Sequence, residues 1–252
     1  MSETLLEVFS LNKRFDGIKA LDDFSASICN GEILGVIGQN GAGKTTLFNV
    51  LTGFIPPDKG SVSLKGKNII GTAPYKIANR GISRTFQNLR LIRQISVLDN
   101  VLLSFRDQPG EKLGNIFFRW GRCKAQEKAN REEALTLLKE TGLGNKAYDP
   151  AEALSYGEQK LLTLVCCLAA RSDLLLLDEP VAGIAPEMIE KILGIIKYLP
   201  SKGKTVILIE HNLDAVMKVC DRVIFMDAGR KISEGKPEEV RNDPRVIEAY
   251  ID

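Results

Sequence analysis

One glycine-rich stretch of this sequence has the residue types and spacing of a phosphate-binding loop. The pattern G-x-x-x-x-G-K-[ST] covers residues 38–45 and ends in Lys44 and Thr45. Glycines let successive backbone N–H groups converge on phosphate oxygens, and the start of a helix adds positive potential there. The lysine is suited to the outer phosphates and the threonine hydroxyl to Mg²⁺. The sequence therefore predicts a nucleoside triphosphate site, whose candidate contacts are Gly38, Gln39, Asn40, Gly41, Ala42, Gly43, Lys44, Thr45 and Thr46.

Two adjacent carboxylates, Asp178 and Glu179, follow a run of four leucines at residues 174–177. Such a run is typical of a buried strand, so both carboxylates are expected at the edge of a sheet near the phosphate loop. Asp178 is suited to hold Mg²⁺, directly or through water, and Glu179 to act as general base on the attacking water. A solvated acidic turn is the ordinary alternative, and the leucine run together with the phosphate loop disfavours it.

Three single residues are candidates to complete this chemistry. Gln87 has an amide that could reach both the metal and the attacking water, although a lone glutamine is ordinarily a surface residue. His211 is the only histidine and follows a predicted buried strand, where it could hydrogen-bond the terminal phosphate instead of serving a structural role. Phe15 is ordinarily a core aromatic, and its functional alternative is a platform for an adenine ring.

A second stretch, Ser155 to Gln159, places a serine and a glycine just before an apolar helix. A helix start of this kind binds anions, because its N–H groups lack partners and its dipole is positive there. Since the chain already has one phosphate loop, a second such site suggests contact with the nucleotide of another subunit. From the residues alone, Ser155 could instead simply cap the helix.

Strand-like and helix-like segments alternate along most of the chain, and this indicates an α/β fold. Apolar runs at 33–37, 174–177 and 204–209 are typical of the buried strands of a mostly parallel, doubly wound sheet. Short β-like segments at 4–9 and 23–28 flank a turn at Asp16-Gly17 and predict a separate β part.

The pattern changes between about residues 87 and 160. Val97–Phe105 and Lys124–Thr141 have helical spacing, while the stretch 107–122 between them is irregular. We therefore predict a helical subdomain at 87–160 inserted into an α/β core. The core would comprise residues 1–86 and 161–252.

Composition restricts the class of protein. The 252 residues include 34 basic and 32 acidic side chains, which give a net charge of +2 and disfavour nucleic-acid binding through bulk charge. No apolar run approaches the roughly 18 residues of a membrane-spanning helix, and the N-terminus lacks the features of a secretion signal. The five cysteines form no C-x-x-C pair, so we expect reduced thiols in a cytoplasmic protein.

In their types and order, these motifs resemble those of the ATP-binding subunits of ABC transporters, and the resemblance extends from end to end. The matched motifs, in chain order, are the adenine-stacking aromatic (Phe15), Walker A (38–45), the Q-loop glutamine (Gln87), the signature (154–159), Walker B (174–179) and the switch histidine (His211).

This resemblance implies a P-loop NTPase (RecA-like) fold with a mostly parallel sheet, an antiparallel β part and an inserted helical subdomain. It implies ATP and Mg²⁺ as ligands, with Thr45, Gln87 and Asp178 at the metal. Glu179, with His211 and Gln87, would carry hydrolysis. In the family's head-to-tail dimer, the signature residues would contact the partner's ATP; here they are Ser155, Tyr156, Gly157 and Glu158.

Within the family, the segments 84–88, 179–183 and 246–250 resemble the branched-chain amino acid importer branch, and urea or amide uptake systems share much of this pattern. The resemblance implies membrane permease subunits, a second ATP-binding subunit that pairs in an ATP-dependent homo- or heterodimer and, indirectly, an extracytoplasmic solute-binding protein as partners. It implies a peripheral location on the inner face of the cell membrane.

The sequence departs from the family pattern at several positions. Tyr156 replaces the first glycine of the signature, Glu158 replaces its glutamine, and Ala185 stands where an aspartate is usual. Leu161 and Cys166 stand where arginines are frequent. Because Ser155, Gly157 and Glu179 are present, we expect hydrolysis to be retained and dimerisation to be weaker.

Two other classes compete with a transport ATPase. A soluble nucleotide switch acting on nucleic acid or translation usually has two fused cassettes or long inserts, whereas this chain has one cassette and nearly balanced charge. A GTPase is disfavoured because residues 145–148, Asn-Lys-Ala-Tyr, lack the aspartate of a guanine-reading Asn-Lys-x-Asp motif.

Overall fold

The protein is represented by a computed structural model that describes residues 3–87, 89–106 and 120–251. The strands, in chain order, are β1 (Thr4–Phe15), β2 (Ile18–Cys29), β3 (Ile33–Ile37), β4 (Lys59–Leu64), β5 (Lys67–Asn68), β6 (Ile82–Arg84), β7 (Leu174–Asp178), β8 (Thr205–Ile209), β9 (Arg222–Asp227) and β10 (Arg230–Gly235).

Helices connect these strands and cover their faces. The helices, in chain order, are α1 (Lys44–Leu51), α2 (Pro74–Asn79), α3 (Val97–Leu102), α4 (Trp120–Glu140), α5 (Tyr156–Ala169), α6 (Pro186–Tyr198), α7 (Leu213–Val219), α8 (Pro237–Arg241) and α9 (Pro244–Ile251). Short 3₁₀ turns occur at Gly144–Lys146, Ala151–Ala153 and Leu199–Lys202.

The central sheet has six strands in the order β10-β9-β3-β8-β7-β6. Every neighbouring pair is parallel except β9 and β10. The carboxyl ends of β3, β8, β7 and β6 therefore meet at one edge of the sheet, which is where ligands bind in folds of this kind. This topology confirms the predicted mostly parallel core.

Both faces of the central sheet are buried, as alternate residues of its strands demonstrate. Leu175 and Leu177 of β7 belong to an apolar cluster with α3, α5, α6 and α7. Leu174 and Leu176 belong to a second cluster, which contains α1 and the four-stranded sheet β2-β1-β4-β5. Burial on both faces explains why the sequence of β7 is continuously apolar instead of alternating.

The antiparallel β part is larger than the sequence pattern predicts. β1 and β2 form one long hairpin that continues to the turn at Asp16-Gly17. Both turn residues have positive φ, 46° and 90°, and a two-residue turn of this kind matches the twist of its flanking strands. The tight turn lets pairing extend beyond the predicted segments 4–9 and 23–28.

The helical boundaries between residues 87 and 160 differ from the prediction in three places, one of which is the end of α4 at Glu140 instead of Thr141. Helix α3 ends at Leu102 instead of Phe105. Helix α4 begins at Trp120 instead of Lys124, so the prediction of irregular structure is wrong for residues 120–122. The first turns of α4 are mostly polar and give little apolar periodicity, which hides the start of the helix in the sequence. Residues 107–119 of the predicted irregular stretch lie outside the described part of the chain.

Among the residues that the structure describes, no helix combines the length and the apolar character needed to cross a bilayer.

Candidate functional site

The phosphate loop connects the buried strand β3 to helix α1 and is shaped by its glycines. Gly43 has a φ of 99°, and a Cβ placed there would lie 2.2 Å from the carbonyl oxygen of Ala20. Gly38 has a φ of 150°, and its Cβ would lie 2.1 Å from the carbonyl oxygen of Met226. Backbone from β2 and β9 therefore presses directly on the loop, and only glycine fits at these two positions.

Lys44 is buried and folded back over the loop that precedes it. Its Nζ donates hydrogen bonds to the carbonyl oxygens of Gly38 and Gln39 at 2.7 and 2.8 Å. Burial lowers the pKa of Lys44, and the nearby carboxylates of Glu179 and Asp178 oppose that shift. The structure thus places a cation directly at the loop that the sequence predicts to bind phosphate.

The remaining predicted loop contacts differ in exposure. Gln39, Asn40, Gly41 and Thr45 are exposed, Thr46 is half-buried and Ala42 is buried. The side chain of Gln39 donates to the carbonyl oxygen of Ala249 in α9. The C-terminal helix therefore contacts the phosphate loop.

Asp178 ends β7 inside the protein and forms an ion pair with Arg84, the last residue of β6. Arg84 Nη2 lies 2.9 Å from Asp178 Oδ2, and the two side chains are only 5% and 1% exposed. The other carboxylate oxygen, Oδ1, is buried and has no hydrogen-bond partner among the described residues. Burial raises the pKa of Asp178, and Arg84 opposes this shift.

Glu179 is the point where three predicted residues meet. Gln87 Nε2 donates to Glu179 Oε1 at 3.1 Å, and His211 Nε2 lies 3.0 Å from the same oxygen. The backbone of Glu179 has a positive φ of 49°, which is a strained conformation for a residue with a side chain. The structure thus brings Glu179, which directly follows β7, together with Gln87 after β6 and His211 after β8.

Two buried residues that the sequence pattern did not single out hold this corner in place. Lys160 of α5 donates from Nζ to the carbonyl oxygen of Glu179 at 2.6 Å. Glu210 is 1% exposed and accepts the N–H of Val181 at 2.9 Å. Burial raises the pKa of Glu210, and hydrogen bonds from the N–H groups of Val181 and Asn212 oppose this shift. Glu210 directly follows a buried strand, and this position is the sequence signal that could have identified it.

Phe15 is 42% exposed at the end of β1, and Lys13 Nζ lies 5.4 Å from the centre of its ring. It pairs with Ile18 across the hairpin, close to the Ala20 carbonyl that abuts Gly43. The exposed ring is therefore not a core aromatic, which was the ordinary reading of this position.

The predicted signature residues form the start of α5. The Ser155 side chain accepts the N–H of Glu158 at 3.3 Å, and Glu158 Oε2 accepts the N–H of Ser155 at 3.0 Å, which completes a capping box. Lys146 Nζ lies 2.7 Å from Glu158 Oε1. Ser155 thus caps its helix. These contacts join the helix start to Lys146 and leave the predicted contact with a partner's ATP as a prediction.

The surroundings of the helix start are tightly packed at one position and open at another. A Cβ on Gly157 would lie 3.0 Å from Met188 Cγ of α6. Tyr156 is 50% exposed, with its ring 3.7 Å from a Cβ placed on Gly183. The tyrosine therefore lies beside the loop that follows β7.

Within the described ranges, no group of three or more His, Cys, Asp or Glu side chains is arranged to hold a metal ion. The predicted metal ligands Thr45, Gln87 and Asp178 contribute a hydroxyl, an amide and one carboxylate, so they are not a group of that kind.

Comparisons with known proteins agree with this geometry. The family model described as ABC transporter matches residues 21–182, and the one described as branched-chain amino acid ATP-binding cassette transporter matches residues 230–251. The high-affinity branched-chain amino acid transport ATP-binding protein BraF of Pseudomonas aeruginosa is 36% identical over 252 residues, which cover 100% of this chain and 99% of BraF.

Solved structures give the same result. A nucleotide-free ATP-binding cassette from an ABC transporter has a TM-score of 0.85 and 35% identity, and the match covers 99% of both chains. An ATP-binding cassette of an ABC transporter in its ADP conformation has a TM-score of 0.85 and 32% identity, also over 99% of both chains. The chain belongs to the ABC transporter family of ATP-binding proteins and is a nucleotide-binding ABC ATPase.

Proposed function

We propose that this chain hydrolyses ATP to power uptake of branched-chain amino acids through partner membrane permeases. The observation that carries the hydrolytic part is the Glu179 carboxylate, which both Gln87 and His211 contact at the edge of the sheet beside Lys44. The amino-acid substrate is supported by the name of BraF and by the branched-chain family model at residues 230–251.

The proposed nucleotide site begins at the phosphate loop. The N–H groups of residues 39–46 would contact the phosphates, because they lie in a loop bent by glycines at the start of α1. The Lys44 ammonium would exchange the carbonyl oxygens of Gly38 and Gln39 for phosphate oxygens. Phe15, exposed near Gly43, would stack on the adenine ring.

Mg²⁺ fits the residues of this site. Oδ1 of the buried Asp178 carboxylate has no hydrogen-bond partner among the described residues, and a buried polar atom without a partner is costly, so a cation there would be favourable. Thr45, Gln87 and Asp178 would hold the ion through oxygen atoms, which are the ligands that Mg²⁺ prefers. When bound, the ion neutralises charge on the phosphates.

In the proposed hydrolysis step, Glu179 orients a water molecule for attack on the terminal phosphorus and accepts its proton, while the bond from that phosphorus to the bridging oxygen breaks and ADP leaves. Gln87 donates to Oε1 of Glu179 and His211 Nε2 lies 3.0 Å from the same oxygen, so the water would approach Oε2. His211 would also hydrogen-bond the terminal phosphate in the closed state.

The proposed assembly is a head-to-tail pair of ATP-binding subunits on the inner face of the membrane. In that pair, the start of α5 with Ser155, Tyr156, Gly157 and Glu158 would contact the nucleotide of the partner. The helical region 87–160, inserted between core residues 1–86 and 161–252, would transmit closure to the permeases. An extracytoplasmic solute-binding protein would deliver the substrate.

The experiment that tests hydrolysis is the substitution Glu179→Gln, which keeps the shape of the side chain but removes its basicity. We expect the ATPase rate to fall by about 10²–10⁴-fold, the usual contribution of a general base, while ATP binding measured by fluorescence titration is retained. Glu7→Gln, an exposed change on β1, serves as the matched control. An unchanged rate in Glu179→Gln would show that another group is the base.

The experiment that tests transport is affinity purification of the tagged chain from its native membranes, followed by mass spectrometry. Two polytopic permeases and a second cassette are the expected companions. Recovery of ribosomes or nucleic acid instead would favour the nucleotide switch and contradict the transport function, while the ATPase activity would stand.

A further inference from the structure

Arg84 is a buried cation whose two terminal nitrogens are both hydrogen-bonded. Its Nη1 donates to Asn49 Oδ1 in α1 at 2.6 Å, and its Nη2 donates to Asp178 Oδ2 at 2.9 Å. The rings of Phe48 and Phe86 lie 5.2 and 5.0 Å from its central carbon. Two hydrogen bonds and two aromatic contacts leave this group little freedom to move.

The contact between Arg84 and Asp178 uses only one carboxylate oxygen. Arginine and carboxylate groups often meet through two parallel hydrogen bonds, whereas here Arg84 Nε and Asp178 Oδ1 are both buried with no partner in the described part of the chain. Arg84 Nη1 bonds Asn49 instead of the carboxylate, so Arg84 holds Asp178 through Nη2 alone. As a consequence, Oδ1 of Asp178 stays available.

The carboxylate is also fixed from the backbone side. The N–H of Asp178 donates to Thr85 Oγ1 at 2.9 Å, and the N–H of Thr85 donates to the carbonyl oxygen of Leu176. The parallel pairing of β6 with β7 places Arg84 opposite Leu176, two residues before Asp178. The short strand β6 therefore determines where the Asp178 carboxylate lies.

We propose that Arg84 is a positioning residue that holds the Asp178 carboxylate through Oδ2 and thereby presents Oδ1 to the Mg²⁺ of the bound nucleotide. This inference rests on the proposed function, because it assumes that MgATP binds at this site. Arg84 itself touches neither metal nor phosphate in the proposal. It acts through Asp178, in the way that hydrogen-bond partners of metal ligands orient those ligands.

Lysine at position 84 would keep the positive charge but lose the fixed fork that bonds Asn49 and Asp178 together. In the Arg84→Lys variant, we expect the affinity for Mn²⁺, measured by electron paramagnetic resonance with a non-hydrolysable ATP analogue, to fall about tenfold, within the range found for such partners of ligands. The affinity for the same analogue without metal is expected to change less than twofold.

Arg222→Lys is the matched control, because Arg222 is another part-buried arginine with carboxylate partners, Glu32 and Glu234. It is the first residue of β9 and therefore lies at the edge of the sheet opposite to Asp178, the last residue of β7. We expect this variant to bind Mn²⁺ with the wild-type affinity. A fall in Mn²⁺ affinity equal to that of Arg84→Lys would mean that any loss of a buried arginine disturbs the site, and it would overturn the proposal.

Asn49→Ala is the second variant, and it keeps both Arg84 and Asp178 while removing one anchor of the guanidinium. It is expected to weaken Mn²⁺ binding less than Arg84→Lys does, and it carries the test if Arg84→Lys fails to fold. Mn²⁺ affinity at the wild-type level in the folded variants would overturn the positioning role. Absence of ATP binding by the wild-type chain would instead refute the proposed function itself.

Discussion

At the scale of single residues, the phosphate loop depends on the absence of side-chain atoms at particular places. Gly43 and Gly41 both have positive φ, but only Gly43 faces a neighbouring backbone, the carbonyl of Ala20. A Cβ on Gly41 would meet no atom of the described residues within 4 Å. The two glycines therefore separate the cost of backbone strain from the cost of a steric clash.

We predict that Gly43→Ala destabilises the protein clearly more than Gly41→Ala. In both variants, the left-handed backbone at alanine lowers the free energy of unfolding by about 1–2 kcal/mol. In Gly43→Ala, the clash of the added methyl group with backbone lowers it by about 1–3 kcal/mol more. Urea denaturation measures the difference in the free energy of unfolding. Equal destabilisation by the two alanines would mean that Ala20 yields to the added methyl group.

Residue 179 concentrates two features that a residue chosen only for stability would not combine. It has a strained backbone at φ 49° and a carboxylate that Gln87 and His211 both contact. Strain of this kind costs of order 1–3 kcal/mol and persists only where the surroundings impose it. Lys160 and Glu210 impose it here, through bonds to the backbone around Glu179.

At the scale of elements, the start of helix α5 illustrates how a change of charge is accommodated. Glu158, which stands where the family pattern has glutamine, lies 2.7 Å from Lys146 and closes the capping box with Ser155. Burial pushes the pKa of Glu158 upwards, but hydrogen bonds from Lys146 and Ser155 outweigh it and hold the pKa below the ordinary 4.5. The added negative charge is thus largely balanced before any nucleotide approaches.

We predict that Lys146→Met lowers the free energy of unfolding by up to about 1 kcal/mol at neutral pH, since the pair is partly exposed. Because the folded pKa of Glu158 is depressed, its stabilisation is present above its unfolded pKa near 4.5 and is lost as the pH falls through the folded pKa. The difference between wild type and variant should therefore shrink in acid.

The measurement is urea denaturation of both proteins at neutral and at acidic pH. Lys146→Met/Glu158→Gln is the control, because removing both charges should restore most of the lost stability. A difference between wild type and Lys146→Met that stays constant with pH would contradict a role of the ion pair.

At the scale of the whole molecule, the proposed site has two parts that make different contacts: the phosphate loop with its carboxylates, and the start of α5. Lys44 of the phosphate loop lies near enough to Asp178 and Glu179 to feel their charges, whereas the capped start of α5 bonds to Lys146 and packs on α6. A single chain thus offers one loop and one helix start, which is the arrangement that a head-to-tail pair would complete.

We predict that Glu179→Gln forms a stable dimer in MgATP, because the variant binds ATP but cannot hydrolyse it. Size-exclusion chromatography with light scattering should give twice the monomer mass in MgATP and the monomer mass in MgADP. A monomer under both conditions, also in a sample ten times more concentrated, would contradict pairing of this chain with a second copy of itself and leave pairing with a different cassette as the alternative.

Much of the fold could be predicted from the sequence because its signals are local. The leucine run of β7, the glycine loop after β3 and the apolar stripe of α6 are periodicities within short segments. Where the local signal was weak, the prediction failed. The polar first turns of α4 and the continuation of the β1–β2 hairpin to Asp16-Gly17 depend on partners that lie elsewhere in the chain.

By itself, the sequence determined which groups are present for the chemistry: a glycine loop with its lysine, two carboxylates after a buried strand, a glutamine and a single histidine. Only the tertiary structure decided how they meet. Arg84 and Asp178 are 94 residues apart, and Gln87 and Glu179 are 92 apart. These contacts follow from the parallel pairing of β6 with β7. The register between two distant strands is set by packing of the whole sheet, so neither segment's sequence alone predicts it.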